Sequence, residues 1–251
     1  PISDARLNTA NSEGNTFNGT GFAEIQLPYG FKFTSINNVY LNESRSTGTT
    51  NPYFGQYAAS NGMVNKEHDR SWSYNYQQRI NWHQVYGKHD VEVMLGHEYY
   101  RAYGYALYAG KHNQFSVDNK ELAGAVVLDN GSSSMSEYNT ESWLSRVMYN
   151  YDSRYFGSVS AMRQASSRFS KDNWWGTFWS FGAGWNMHKE SWFNVDWINE
   201  LKLKASYGEN GNDGIGSYMY TKYFSIVNSN NEVSLTPSSL GNPKISWEKN
   251  G

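Results

Sequence analysis

The chain of 251 residues contains no cysteine, only five prolines and only 18% charged residues. The absence of cysteine excludes disulfides, thiolate metal sites and a cysteine nucleophile. Lysine plus arginine number 21 against 23 for aspartate plus glutamate, so the sequence lacks the basic excess of a nucleic-acid binder. No apolar run approaches the roughly 20 residues that a membrane-spanning helix needs, and the mean hydropathy is -0.74.

Aromatic residues, in contrast, are abundant: 10 Trp, 20 Tyr and 12 Phe make up 17% of the chain. Together with many Asn, Ser and Gly, this composition is typical of an all-β protein with one face in water. Composition alone leaves two classes open, a soluble glycan-binding β protein and a transmembrane β-barrel.

The clearest periodicity lies in residues 71–86, where aromatic or aliphatic side chains largely alternate with polar ones. A period of two predicts a β-strand with one apolar and one polar face. A turn at residues 87–90, followed by renewed alternation, predicts a hairpin in which Tyr86 faces Val91 and Arg79 faces Glu98.

Connections between predicted strands alternate in length along the chain. Short ones fall at residues 28–30, 87–90 and 152–154, and a medium one falls at 188–200. Long polar ones fall at residues 43–70, 108–141, 164–174 and 208–216. Outer-membrane barrels have short turns on one side and long loops on the other. We therefore predict an all-β fold, a transmembrane antiparallel up-and-down β-barrel.

A barrel wall constrains each charged side chain, because Arg or Lys facing lipid near the midplane costs about 2–4 kcal/mol. The charges predicted to face the lumen are Arg79, Glu98, Arg146, Lys202 and Lys204. Their neighbours then face lipid, including Ile80, Trp82, Val147, Tyr149, Leu201 and Leu203. Aromatic residues beside the short connections are expected to form a girdle: Tyr86, Tyr151, Tyr155, Trp185 and Trp192. Gln84 and His97 fit poorly, since they share the lipid-facing parity.

Catalytic and metal-binding patterns are weak. Residues 208–216 contain the glycine spacing of a dinucleotide fingerprint, but no helix is expected to follow, so a mobile loop is the better interpretation. Its Asn and Asp residues leave calcium binding open, although the spacing is not that of an EF-hand. Glu92 and Glu98 are better interpreted as lumen charges than as a glycosidase pair. We predict no enzymatic activity, no cofactor and no metal site.

Ligand-contacting residues are harder to assign. The indoles of residues 173–179 could stack on sugar rings, but membrane girdles and loop packing also use tryptophan, and this second interpretation is favoured. The candidate ligand contacts are Trp174, Trp175, Arg168, Asn210 and Asp213.

An ordered series of short motifs resembles a known family. The series comprises residues 146–151 (RVMYNY), 166–169 (SSRF), 175–178 (WGTF), 183–185 (AGW), 201–208 (LKLKASYG) and 211–216 (GNDGIG). Residues 95–98 (LGHE) and 242–249 (NPKISWEK) are similar to further stretches. The set resembles the barrel of SusC/RagA-type TonB-dependent outer-membrane transporters of Bacteroidetes. The family commonly has Asp-Gly where this chain has Gln164-Ala165, and Pro where Trp179 stands.

The resemblance implies a barrel of about 22 strands closed by an N-terminal plug. Residues 1–251 are then expected to be one segment of the barrel domain, with about nine or ten strands, while the plug and the other strands lie outside it. The family imports oligosaccharides or peptides across the outer membrane of Gram-negative cells. The implied partners are a SusD-like lipoprotein lid, TonB acting through an N-terminal region, and outer-membrane lipid, but no nucleic acid.

Two other hypotheses remain open at this stage. A soluble all-β carbohydrate-binding domain would explain the Trp and Asn content and would be monodisperse without detergent. A glycan-active enzyme would use Glu92 or Glu98 as acid or base. The transporter hypothesis instead predicts aggregation in buffer.

Overall fold

The computed structural model describes residues 7–251, and most of them lie in β-strands. Eight antiparallel strands form one sheet in which strands adjacent in sequence are hydrogen-bonded neighbours. They are β1 (Thr9–Gln26), β2 (Phe31–Thr50), β3 (Met63–Tyr86), β4 (His89–Gln114), β5 (Ala125–Tyr151), β6 (Tyr155–Ser166), β7 (Trp175–Asn186) and β8 (Lys202–Gly208). This up-and-down order confirms the predicted topology.

Four shorter strands form two further pairs. Strand β9 (Asn210–Asn212) pairs with β12 (Glu248–Asn250), and β10 (Tyr223–Ser229) pairs with β11 (Glu232–Ser239). The helical segments are single 3₁₀ turns at Pro28–Gly30, Leu122–Gly124, Lys171–Asn173 and Met187–Lys189. None of these, within residues 7–251, is a long apolar helix able to span a membrane.

The chain divides into two compact units. One unit consists of residues up to 19, 38–74 and 102–137. Inside it Val64 is fully buried, and the Lys66 ammonium lies 2.6 Å from the Glu121 carboxylate. The other unit consists of residues 20–37, 75–101 and 138–251, and it contains strands β6 to β8 and all the predicted site residues.

Pairing within β5 to β8 separates the side chains into two faces. Val147 faces Val159, which faces Phe181, and Phe181 faces Tyr207. One residue along, Arg146 faces Ser160, which in turn faces Ser180. We call the two sides the apolar face and the polar face. Val159 and Phe181 are 60% and 48% exposed, so the apolar face is not covered by any other part of the described chain.

The long loops lie where the sequence predicts them, but two of them are much shorter in the structure than in the prediction. Strands β2 and β3 extend into the predicted loop 43–70 and leave only residues 51–62, and β4 and β5 leave only 115–124 of the predicted loop 108–141. Strands β3, β4 and β5 reach 24, 26 and 27 residues. These strand extensions carry polar side chains on both faces, so their sequence shows no alternation and has the composition of a loop. The main sheet contains eight strands, and the connection 187–201 is longer than expected.

The predicted register of the β3–β4 hairpin was wrong by two residues. Strand β3 ends at Tyr86 and β4 begins at His89, so the turn has only Gly87 and Lys88 and Tyr86 faces His89. A positive φ at Gly87 (61°) permits this tight turn. Because a shift of two residues preserves the alternation, the predicted faces survive the error.

An aromatic row runs beside the short turns, as predicted for a girdle. Tyr151 faces Tyr155, whose ring stacks 6.4 Å from Trp185, and Trp185 meets Trp192 edge-on. The sequence did not reveal the anchor of this row, Glu190. Its carboxylate accepts hydrogen bonds from the Tyr155 hydroxyl (2.6 Å) and the Trp185 indole (3.0 Å). These donors, with the Arg154 guanidinium, lower the pKa of Glu190.

The two residues that fitted the apolar face poorly are both accommodated. Gln84 donates a hydrogen bond of 2.9 Å to the carbonyl oxygen of Tyr29, at the turn between β1 and β2. The His97 ring lies 4.3 Å from Trp143, and its Nε2 is 3.1 Å from a carboxylate oxygen of Glu141. Both side chains therefore have polar partners near an end of the apolar band.

The turn between β5 and β6 yields a test of backbone strain. Asp152 and Ser153 have positive φ angles of 53° and 54°, a conformation that costs roughly 1 kcal/mol per non-glycine residue. We expect Ser153→Gly to raise the stability of the full-length protein by up to about 1 kcal/mol. Thermal unfolding in detergent measures the effect. Ser153→Val should lower stability, and equal melting temperatures for both variants would contradict this assignment.

Candidate functional site

The polar face carries a broad groove of about 690 Å³ that extends across strands β3 to β8. Three of the five predicted lumen charges line it: Arg146, Lys202 and Lys204. His83, Asp90 and Glu92 line the opposite end. The sequence prediction that these cations share one face is consistent with this arrangement, since Lys204 faces Gly184 and Lys202 faces Asn186 on β7.

The cations of this groove are available to other molecules. Arg146 and Lys204 have no carboxylate within 4 Å among the ion pairs of the described chain, and Lys202 rests over the Phe156 ring at 4.2 Å. At the other end, His83 Nε2 lies 2.7 Å from Asp90. The groove can thus contact a polar ligand with cations at one end and carboxylates at the other.

Arg79 and Glu98, the other two predicted lumen charges, do not meet directly. Gln77 lies between them: its amide donates to the Glu98 carboxylate at 2.9 Å, and its oxygen accepts from Arg79 at 2.9 Å. The predicted Arg79–Glu98 pairing fails because the true register places Gln77 opposite Glu98. Two hydrogen bonds through the neutral Gln77 amide therefore connect Arg79 and Glu98 in place of a direct ion pair.

A second cluster, the Asp213 clasp, consists of Asp213, Tyr138, Ser166 and Arg168. Asp213 Oδ2 accepts hydrogen bonds from the Tyr138 hydroxyl (2.7 Å) and the Ser166 hydroxyl (2.6 Å). The Arg168 guanidinium donates to the Asp213 carbonyl at 3.0 Å and lies 4.4 Å from the centre of the Tyr138 ring. Ser166 is 1% exposed. The glycine-rich loop is therefore held against the middle of β5, at Tyr138, and the end of β6, at Ser166.

Burial and the Asp213 carboxylate raise the pKa of Tyr138 to about 12. Burial disfavours the charged phenolate, and the neighbouring carboxylate adds like-charge repulsion. The raised pKa means that this stabilisation is complete below about pH 10 and is lost only as the pH rises towards 12. The clasp is thus intact over the whole physiological range.

Aromatic packing holds the other side of the same loop. Phe169 is fully buried, its ring lies 5.1 Å from Trp247, and the Trp247 indole donates to the Trp174 carbonyl at 2.9 Å. Gly211 lies against the ring of Phe178 so closely that a Cβ could not be accommodated. Four motifs separated by up to 80 residues therefore meet in one place, which sequence order alone could not show.

The candidate ligand contacts have mainly structural partners in this arrangement. Arg168 and Asp213 contact each other, and Asn210 pairs with Asn250 in the β9–β12 ladder. Trp174 and Trp175 are 37% and 40% exposed, and the Arg163 guanidinium lies 4.9 Å from the Trp175 ring. Their role in ligand binding stays a prediction, with the two tryptophans the more accessible pair.

The geometry offers no support for carboxylate catalysis. Glu92 and Glu98 lie six residues apart on one extended strand, which places their backbones about 20 Å apart. Glycosidase carboxyls need a separation of roughly 5–9.5 Å. Within residues 7–251, no three His, Asp or Glu side chains cluster in a way that could hold a metal ion.

The long antiparallel sheet, with one apolar and one polar face and an aromatic row at the turns, has the architecture of a transmembrane β-barrel wall. No family model matches the chain. The TonB-dependent receptor SusC of Bacteroides thetaiotaomicron is 28% identical over 99% of this chain, and a TonB-dependent receptor of Formosa agariphila is 26% identical over 99%. The chain spans 26% and 24% of their lengths.

Solved structures agree with this relationship. The RagAB peptide transporter superposes with a TM-score of 0.91 and 26% identity over 98% of this chain and 28% of its own. The RagAB importer in its closed-closed state gives 0.90 over 97% of this chain and 28% of its own. Over nearly its whole length, the chain is similar to one barrel segment of SusC/RagA-type TonB-dependent receptors. These relatives are receptors and transporters, in agreement with the prediction that the chain is not an enzyme.

The Asp213 clasp is tested by removing its carboxylate. Asp213→Ala leaves the Tyr138 and Ser166 hydroxyls without their acceptor, and each unsatisfied buried group costs roughly 1–3 kcal/mol. It also removes the ion pair of 3.9 Å with Arg168, whose hydrogen bond to the backbone carbonyl remains. We expect amide hydrogen exchange in residues 209–222 of the full-length protein to accelerate at least tenfold. Asp172→Ala, at an exposed position, is the control. Unchanged exchange in Asp213→Ala would show that the loop is held by aromatic packing alone.

Proposed function

We propose that the chain forms part of the wall of an outer-membrane importer that takes up large nutrients with energy delivered through TonB. The observation that carries this proposal is the separation of faces in β5 to β8. Aliphatic and aromatic side chains at Val147, Val159 and Phe181 stand on one side, and serines, glycines and cations stand on the other. Such a sheet is stable with lipid on one side and water on the other.

The distances along the strands support the membrane assignment. The aromatic row at Tyr155 and Trp185 is separated by eight residues from a second row that contains Trp143, Arg163 and Thr177. At the usual rise and tilt, these rows lie about 20 Å apart along the barrel axis. That separation is close to the height of about 25 Å of the apolar band of outer-membrane barrels.

The relatives, of which the chain spans about a quarter, support the proposed domain arrangement. Residues 1–251 are one segment of the barrel domain, and the plug and remaining strands belong to the rest of a longer protein. The groove on the polar face then faces the lumen, so Arg146, Lys202 and Lys204 contact the aqueous path or the plug. Arg79 and Glu98 lie on the same face, nearer the second row.

The proposed partners are a SusD-like lipoprotein lid, TonB and outer-membrane lipid. The RagAB structures are of a peptide transporter, whereas the cargo proposed for this chain is either an oligosaccharide or a peptide. A groove with cations at one end and carboxylates at the other suits a peptide with charged termini, and the exposed Trp174 and Trp175 suit sugar rings. Uptake assays with each class would decide between them.

A soluble carbohydrate-binding domain is the alternative function. It would have to leave Val159, Phe181 and Leu203 in water, where they are 60%, 48% and 62% exposed. Contiguous apolar surface of this kind is rare on soluble monomers. We therefore favour the membrane assignment.

Lipid-facing substitution tests the proposed function. Val159 lies four residues from the turn row, about 10 Å into the membrane, so Val159→Arg should cost about 2–4 kcal/mol and prevent assembly of the full-length protein. Ser158→Arg is the matched control, because the neighbouring side chain points to the polar face. Heat-modifiable migration and outer-membrane fractionation measure assembly.

Leu203→Arg provides a graded comparison in the same assay. Leu203 faces Trp185 in the turn row, where an arginine costs only about 0–1 kcal/mol. We expect partial assembly of this variant and normal assembly of Lys202→Ala. Assembly of Val159→Arg together with failure of Ser158→Arg would mean that the two faces are reversed.

A further inference from the structure

We propose that the apolar face binds an anionic lipid of the outer leaflet, with Arg163 contacting a phosphate of the headgroup and an adjacent groove holding an acyl chain. This inference rests on the proposed function, because it takes the apolar face to be the side in contact with lipid.

The groove lies on the apolar face across β2 to β7 and has a volume of about 570 Å³. Its floor is formed by two small residues, Ser145 and Ala161, which face each other in the β5–β6 ladder. Ile80, Leu95 and Phe33 line one side. A groove with a narrow floor and aliphatic or aromatic walls buries a hydrocarbon chain favourably, at about 25 cal/mol per Å² of apolar surface.

Arg163 stands at the end of this groove. It faces Trp143 on β5 and Thr177 on β7, so its side chain has the parity of the apolar face. The side chain is exposed, and its guanidinium lies 4.9 Å from the centre of the Trp175 ring. No carboxylate lies within 4 Å of it among the ion pairs of residues 7–251.

In the described part of the chain, Arg163 has no anionic partner because the nearby carboxylate is already paired. Glu141, two residues along β5 from Trp143, is occupied by His97 at 3.1 Å. Arg163 therefore has an aromatic contact but no anion, on a face where an unpaired charge is costly. A position about 20 Å from the turn row coincides with the far edge of the apolar band, where lipid headgroups begin.

Phosphate is the anion that best fits these observations. A guanidinium presents parallel N–H donors that match two phosphate oxygens, and this pairing is stronger where water is partly excluded. Basic residues beside a membrane attract anionic headgroups by about 1 kcal/mol each. A phosphorylated lipid would place its phosphate at Arg163 and one acyl chain over Ser145 and Ala161 at the same time.

The test is native mass spectrometry of the full-length receptor in detergent, titrated with diphosphorylated lipid A and, separately, with phosphatidylcholine. We expect tighter binding of lipid A and a five- to tenfold weaker affinity in Arg163→Gln. Ala161→Trp fills the groove while leaving the cation in place, and we expect a similar loss for it.

Lys204→Gln is the matched control, since it removes one positive charge from the polar face, and its affinity for lipid A should stay within twofold. Equal binding by wild type and Arg163→Gln, equal losses in Arg163→Gln and Lys204→Gln, or no preference over phosphatidylcholine would overturn the proposal. These failures are distinguishable from failure of the proposed function, which would appear as wild-type protein that does not fractionate with the outer membrane.

Discussion

The structure depends on one constraint: along a membrane-crossing strand, the side chains of successive residues point alternately to lipid and to water. Backbone N–H and C=O groups must pair with neighbouring strands because hydrocarbon offers no hydrogen bonds, and side chains then fall on two faces with a period of two. In β5 to β8 this places Val159 and Phe181 on one side and Arg146 and Lys204 on the other. The low charge content and the abundance of aromatics follow from it, since one face excludes charge and its edges favour Trp and Tyr.

The face of the sheet on which each side chain lies was predictable from the sequence, whereas the pairing register and the strand lengths were not. The faces of Ile80, Arg79 and Lys202 follow from alternation alone, and a register error of two residues at Gly87–Lys88 left them unchanged. Strand ends were missed because β3 to β5 continue into regions that are polar on both sides, where no alternation remains to mark a strand. A turn of two residues also cannot be distinguished by composition from one of four.

The Asp213 clasp shows a different limit. Ser166, Arg168 and Asp213 lie in recognised motifs, whereas Tyr138 does not. The bonds to Asp213 span 45 to 75 positions of the chain, so only the fold brings these residues together. Glu190 was missed altogether, because a single carboxylate in a loop carries no signal of its role in holding Tyr155 and Trp185. His97 and Gln84 are polar residues on the apolar face, which alternation alone could not explain. Their hydrogen-bonding partners in the structure account for them.

The two-faced wall is the central claim, and site-directed spin labelling tests it most directly. The segment has no cysteine of its own, so single cysteines can be introduced at residues 157–161 and 179–183 of the full-length receptor, in a cysteine-free background, and labelled in lipid. We predict that odd positions are accessible to oxygen dissolved in the bilayer and that even positions are accessible to a water-soluble nickel complex, with a period of two. Uniform accessibility along both strands would contradict the account.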